Sequence, residues 1–185
     1  MKRIESIDFR FAKGDWPSHF ARLERLNFRA AIVGKKGRGK TTLLHQLHSR
    51  LPDGCLVCLP HEKADHRRQL ETALAAADRQ RIVLIDGIER LTSQQRQLLL
   101  ERCRRGLVAT LHHRWRLPTW IHCRTTPALM RQMLVELGLS DPEFEAAGRR
   151  SFIRSRGNIR EALRLMYDQI ADGHLTVPKN FREIV

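Results

Sequence analysis

The sequence predicts an α/β fold: a five-stranded parallel sheet flanked by helices, followed by a small C-terminal helical lid-like subdomain. Three observations predict it. Short apolar runs alternate with amphipathic helical patterns from residue 30 to residue 123, as strands joined by helical crossovers do. The run "RIVLIDG" (81–87) is apolar almost throughout, as a strand covered on both faces must be. After Cys123 the strand-like runs stop and only helical periodicities continue. The implied division is a core over 1–125, with the segment 1–28 packing on it, and a helical subdomain and tail over 126–185.

The elements follow in order. "AAIV" (30–33) is the first strand. Thr41 to Leu51 then puts Leu43, Leu44, Leu47 and Leu51 on one helical face, and "PDG" at 52–54 stops the helix. "CLVCL" (55–59) is the second strand, and a helix with Leu70, Ala73, Leu74 and Ala77 as its inner stripe follows. After the third strand, "RIVLIDG", Thr92 with Gln95 forms a capping box for a helix through Arg104, closed by Gly106. "LVATL" (107–111) and "TWIHC" (119–123) are strands four and five. Pro127 fits the first turn of a helix carrying Leu129, Met130, Met133, Leu134 and Leu137. Ser140 with Glu143 caps the next, and Asn158 with Glu161 caps a third that holds Ile159, Leu163, Met166 and Ile170. Ahead of the first strand, Gly14 to Leu26 reads either as a helix filling the sheet's edge or as a segment offering Trp16 and Phe20 to a bound base.

Charge is the unusual feature of the 185 residues. Lys+Arg total 34 against 20 Asp+Glu, a formal net charge of +14 and a sequence pI near 10.9. Such an excess attracts polyanions, nucleic acid among them. The basic residues gather in "RQLLLERCRRG" and, more densely at Arg149, Arg150, Arg154 and Arg156, in "RRSFIRSRGNIR". No run reaches the length of a membrane span, and "MKRIESIDFRF" lacks the apolar stretch of a signal peptide; a cytoplasmic protein with no membrane partner is expected. The four cysteines, Cys55, Cys58, Cys103 and Cys123, are then expected reduced and buried. Cys55 and Cys58 form a C-x-x-C followed by His61 and His66. Residues three apart on a strand point to opposite faces, so core cysteines are favoured over a zinc site.

The chemistry concentrates in "IVGKKGRGKTTLL" (32–44). Gly34-Lys35-Lys36-Gly37-Arg38-Gly39-Lys40-Thr41 matches G-x-x-x-x-G-K-[ST] at every fixed position, between a strand and an amphipathic helix. Glycines let backbone N–H groups turn inward around phosphates, and the following helix points its positive end at the same place. Lys40 can bridge the β- and γ-phosphates, the Thr41 hydroxyl can ligate Mg²⁺, and Thr42 is a secondary contact. "RIVLIDGIER" ends its apolar run in Asp86, a second candidate Mg²⁺ ligand at a strand's C-terminal edge.

On these motifs the chain resembles the additional-strand P-loop ATPases, the division that includes AAA+ and ABC-type ATPases, over about residues 29 to 171. It is similar in size to small stand-alone bacterial P-loop ATPases. In that division a strand lies between the Walker A and Walker B strands, and "CLVCL" sits between them in sequence. The resemblance also implies a catalytic glutamate directly after Asp86, but Gly87 stands there and the nearest acid is Glu89. Glu89 is read as the general base or as a partner of Arg90. "LVATLHHR" offers Thr110 and His112 as γ-phosphate sensors, and "RGNIREAL" resembles a lid segment in which Asn158 caps a helix and Arg160 reaches the phosphates. Arg114 and Arg116 stand where such proteins present an arginine finger to a neighbouring subunit. With Trp115 between them, "HHRWR" reads equally as a basic–aromatic nucleic-acid contact or as a solvated loop.

The implied function is a Mg-dependent ATPase that couples nucleotide state to a partner, with ATP and Mg²⁺ as cofactors. The expected partners are nucleic acid through the basic surface, a second protein, or further copies of the chain. Two alternatives remain open at this stage: a nucleotide-gated binding module with little hydrolysis, kept open by Gly87 after Asp86, and a P-loop small-molecule kinase. Choice of adenine over guanine comes from the resemblance alone; the N-K-x-D signature of guanine-specific proteins is absent.

Overall fold

A computed structural model describes residues 8–60, 62 and 65–176; His61 lies outside them, as do residues 1–7 and 177–185. Five strands, β1 (Arg29–Val33), β2 (Gly54–Cys58), β3 (Ile82–Asp86), β4 (Leu107–Leu111) and β5 (Thr119–His122), form one parallel sheet in the order β2-β3-β4-β1-β5. Among the described residues seven helices accompany them: α1 (Trp16–Arg25), α2 (Lys40–His48), α3 (His66–Asp78), α4 (Ser93–Arg102), α5 (Pro127–Glu136), α6 (Pro142–Arg154) and α7 (Ile159–Ala171). The α/β class and all five strands are those the sequence predicts. In the sheet it is β4 that lies between β1 and β3, while β2 takes the edge. The segment found between the two motifs in sequence is therefore not the one between them in space.

The described chain divides into two compact units. One contains Phe9–Gly34 and Gly39–Cys123, which is the whole sheet with α1 to α4. Side chains alternate along a strand, so the sheet buries both faces. Ala31, Val33, Val83, Ile85, Leu107 and Ala109 pack with Ala73, Ala76 and Ala77 of α3 and Leu99 of α4. Ala30, Ile32, Leu84, Val108 and Trp120 pack with Leu23 of α1 and Leu43, Leu44 and Leu47 of α2. Each leucine so buried stabilises the unit by about 1.5–3 kcal/mol before entropic costs, enough for α2 to be held by its leucines rather than by its own propensity.

The N-terminal segment takes the edge-filling role. Asp15 and Ser18 make a reciprocal capping box for α1, and Trp120 Nε1 donates to the His19 carbonyl at 2.8 Å. Trp16 lies edge-on to Phe11 and under the Arg50 guanidinium, and Phe20 lies edge-on to Phe28. All three tryptophans, Trp16, Trp115 and Trp120, belong to this sheet unit.

The second unit contains Asp8, Lys35–Arg38 and the described chain from Arg124 to residue 176, with α5, α6 and α7 around Met130, Leu134, Phe144, Ala147, Ala162 and Met166. Thr126 caps α5 ahead of Pro127, and Asn158 caps α7 by accepting the Glu161 N–H at 3.2 Å. The expected Ser140 cap of α6 is corrected: the N-cap is Asp141, extended at ψ 147, with no side-chain cap bond. The cause is Pro142, which disfavours helical geometry in the residue before it and so forbids an earlier start. Helix α4 likewise ends at Arg102, before the expected Arg104 and Gly106. Tyr167, the single tyrosine, is exposed on α7. Among the described residues no helix is long and apolar enough to cross a membrane.

Candidate functional site

In the sheet unit the glycine-rich loop begins at Gly34, directly after β1, and re-enters at Gly39, the N-cap of α2. Lys40, first residue of α2, is only 9% exposed, and its Nζ donates to the Gly34 carbonyl at 2.7 Å. Thr41, the next residue, donates its hydroxyl to Asp86 Oδ2 at 2.9 Å. Asp86 ends β3, and its other oxygen accepts the Thr110 hydroxyl at 2.6 Å. Thr110 Oγ1 in turn accepts the Gly87 N–H at 2.7 Å. The parallel register that sets Ile85 beside Ala109 carries the following residues, Asp86 and Thr110, to the same end of the sheet. Thr110, a candidate phosphate sensor in the sequence, is 1% exposed, and its hydroxyl holds the Asp86 carboxylate. Thr42 is half-buried on α2.

A carboxylate oriented by two hydroxyls is a hard oxygen donor set, of the kind Mg²⁺ takes together with phosphate oxygens and water. Among the described residues no group of three or more His, Cys, Asp or Glu side chains offers a metal a complete protein cage. Thr41 and Asp86 therefore fit a cation that brings most of its ligands with it.

Gly87 explains the missing glutamate. Its φ is +81° with ψ 38°, a left-handed conformation that costs a side-chain-bearing residue roughly 1–2 kcal/mol. A 3-10 turn, Ile88–Arg90, follows and carries Glu89. The Glu89 Oε1 lies 2.5 Å from His112 Nδ1. Its Oε2 is buried without a hydrogen-bond partner among the described residues, although the side chain as a whole is 30% exposed. Arg90 donates to the Leu59 carbonyl, so the partner provided for Glu89 is His112. Burial, followed by the nearby Lys40 charge, lowers the His112 pKa against the opposing pull of Glu89. With its proton on Nδ1, the His112 ring donates to Glu89 Oε1.

The middle of the loop belongs to the helical unit. Gly37 is left-handed at φ +72°, and a Cβ there would fall 1.7 Å from Asn158 Oδ1. The Gly37 carbonyl accepts the Ile159 N–H at 3.3 Å. Arg38 donates to the Arg156 carbonyl at 2.8 Å and to the Thr125 hydroxyl, which itself donates to the Gly157 carbonyl at 2.6 Å. Lys35, Lys36 and Arg160 are exposed. Thr125 was not signalled by the sequence, since its contacts with Arg38 span 87 residues. The structure thus gathers Lys40, Thr41, Asp86, Glu89 and His112 in one unit and Lys35, Lys36, Gly37, Arg38 and Arg160 in the other.

The cysteine expectation holds in half. Cys103 and Cys123 are buried, and burial pushes their thiols up to about 11 and about 12. Cys55 is half-buried and Cys58 is exposed, because the end of β2, an edge strand, emerges from cover. No protein-family model and no curated protein matches this chain.

Proposed function

We propose that the chain is a Mg²⁺-dependent P-loop ATPase of the additional-strand kind, acting in the cytoplasm, whose nucleotide state is coupled to a nucleic-acid or protein partner. The observation that carries the reading is the hydrogen bond between Thr41 and Asp86, residues 45 apart in sequence, in a sheet where β4 separates β3 from β1, the strand that leads into the loop. The loop's motif and the strand-end carboxylate are legible separately in sequence; their meeting is an independent fact.

On this reading backbone N–H groups of the glycine-rich loop bind the phosphates, and Lys40 bridges the outer two. Thr41 and Asp86 would hold Mg²⁺, which when bound neutralises charge on the phosphates during transfer. Thr110 keeps Asp86 oriented. Glu89, anchored through Oε1 on His112, accepts at Oε2 a proton from the attacking water. The new oxygen–phosphorus bond forms as the phosphoanhydride breaks, giving ADP and inorganic phosphate. The engagement of Glu89 by His112 also favours a second reading, a nucleotide-gated module that turns over slowly until a partner loosens the pair.

Phosphate release and ATP binding, measured for the wild type and Lys40→Ala with and without nucleic acid, test the proposal. The expected result is Lys40-dependent binding with turnover that disappears in the variant. Lys40-dependent binding without phosphate release selects the gated module. ATP binding that ignores Lys40 overturns both.

A further inference from the structure

A groove away from the phosphate loop lies in the sheet unit between α4 and the segment joining β4 to β5. It has a volume of about 520 Å³ and is lined by Ser93, Arg96, Gln97, Glu101, Trp115 and Arg116, among others. Trp115 is half-buried, its ring seated against the core cluster. The Arg96 guanidinium lies over that ring, 5.4 Å from its centroid, within reach of a cation–π attraction. Arg96 Nε is buried without a hydrogen-bond partner among the described residues. Arg116 crosses the groove to Gln97, donating at 2.6 Å. The lining's acid, Glu101, accepts from the Gln97 amide at 2.7 Å. His113 and Arg114 are exposed in the same segment.

We propose that this groove binds single-stranded nucleic acid, taking one base against the Trp115–Arg96 stack and its flanking phosphates on Arg116 and Arg114. The argument has three parts. Indole and guanidinium are both planar faces on which an unpaired base stacks, whatever its identity. Two arginines line the groove and Arg114 stands in the same segment, while the one acid of the lining is engaged by an amide. The chain carries a net charge of +14, which draws a polyanion to the surface before any local contact forms. A base paired in a duplex keeps its faces covered by its neighbours, so the site selects single strands.

The inference does not rest on nucleotide binding, so it is tested without ATP and also in the Lys40→Ala background. Fluorescence-anisotropy titration of a labelled oligo-dT and a labelled oligo-U is compared with a duplex of equal length and an acidic peptide. Trp115→Leu keeps an apolar side chain on the core but offers no π face; removal of one base stack should weaken binding about five- to hundred-fold. Arg116→Gln should weaken it and reduce the salt slope by about one. Arg149→Gln on the helical unit, with equal loss of charge, should leave the Trp115 dependence intact. Both oligomers should bind, since stacking and phosphate contacts do not read the sugar. Single-strand binding indifferent to both Trp115→Leu and Arg116→Gln, or a duplex or acidic peptide bound as tightly, overturns the proposal.

Discussion

At Asp86 two hydroxyls converge on one carboxylate, and each answers to a different part of the chain. Thr41 belongs to the glycine-rich motif and donates to Asp86 from the first turn of α2. Thr110 is buried, and its hydroxyl links the Gly87 N–H to Asp86. Thr110→Val keeps the shape and deletes both bonds, leaving a backbone donor and a carboxylate short of a partner. The expected cost is about 1–3 kcal/mol of stability, seen as a lower denaturant midpoint. A midpoint unchanged from wild type would mean that water replaces the hydroxyl without loss. Glu89 illustrates the limit of reading residues singly. Its spacing from Asp86 suggests a role, but the left-handed turn at Gly87 and the bond to His112 come from the sheet's register, which no local pattern states.

At the scale of elements, what was legible follows from local physics. The apolar runs became strands because about five apolar residues between turns are too few for a helix and enough for a strand covered on both faces, and the Thr92–Gln95 and Asn158–Glu161 caps formed because both partners lie within one turn. The start of α6 departs from the Ser140 pattern because Pro142 outweighs it. Strand order and the allegiance of Lys35–Arg38 were not legible, since both depend on residues far apart; Arg38 and Arg156 are separated by 118 positions. Asn158 combines the two kinds of information: its side chain caps α7 and sits against Gly37. Asn158→Ala should destabilise the helical unit by about 0.5–2 kcal/mol, read by hydrogen exchange along α7. Protection equal to wild type would show that the cap contributes nothing there.

Across the whole molecule, the buried thiols set an alkaline limit. Unfolded, a cysteine thiol loses its proton near 9.0, whereas Cys103 and Cys123 keep theirs to about 11 and about 12 because burial disfavours the thiolate. The folded state therefore holds more protons than the unfolded one in that window. Stability is full below about pH 9 and falls as pH rises towards 11 and 12. Denaturant midpoints at neutral pH and at about pH 10 should diverge for the wild type and diverge less for Cys103→Ala/Cys123→Ala; an equal divergence would assign the loss to other groups.

The placement of the aromatic residues has an optical consequence. Indole emission arises entirely from the sheet unit, while the helical unit carries only the surface phenol of Tyr167. Tryptophan fluorescence is thus a built-in reporter for one half of the molecule and is blind to the other. Far-ultraviolet circular dichroism sums the helices of both. Heating curves that coincide by the two methods describe one cooperative transition, and curves that part company resolve the two units without any label.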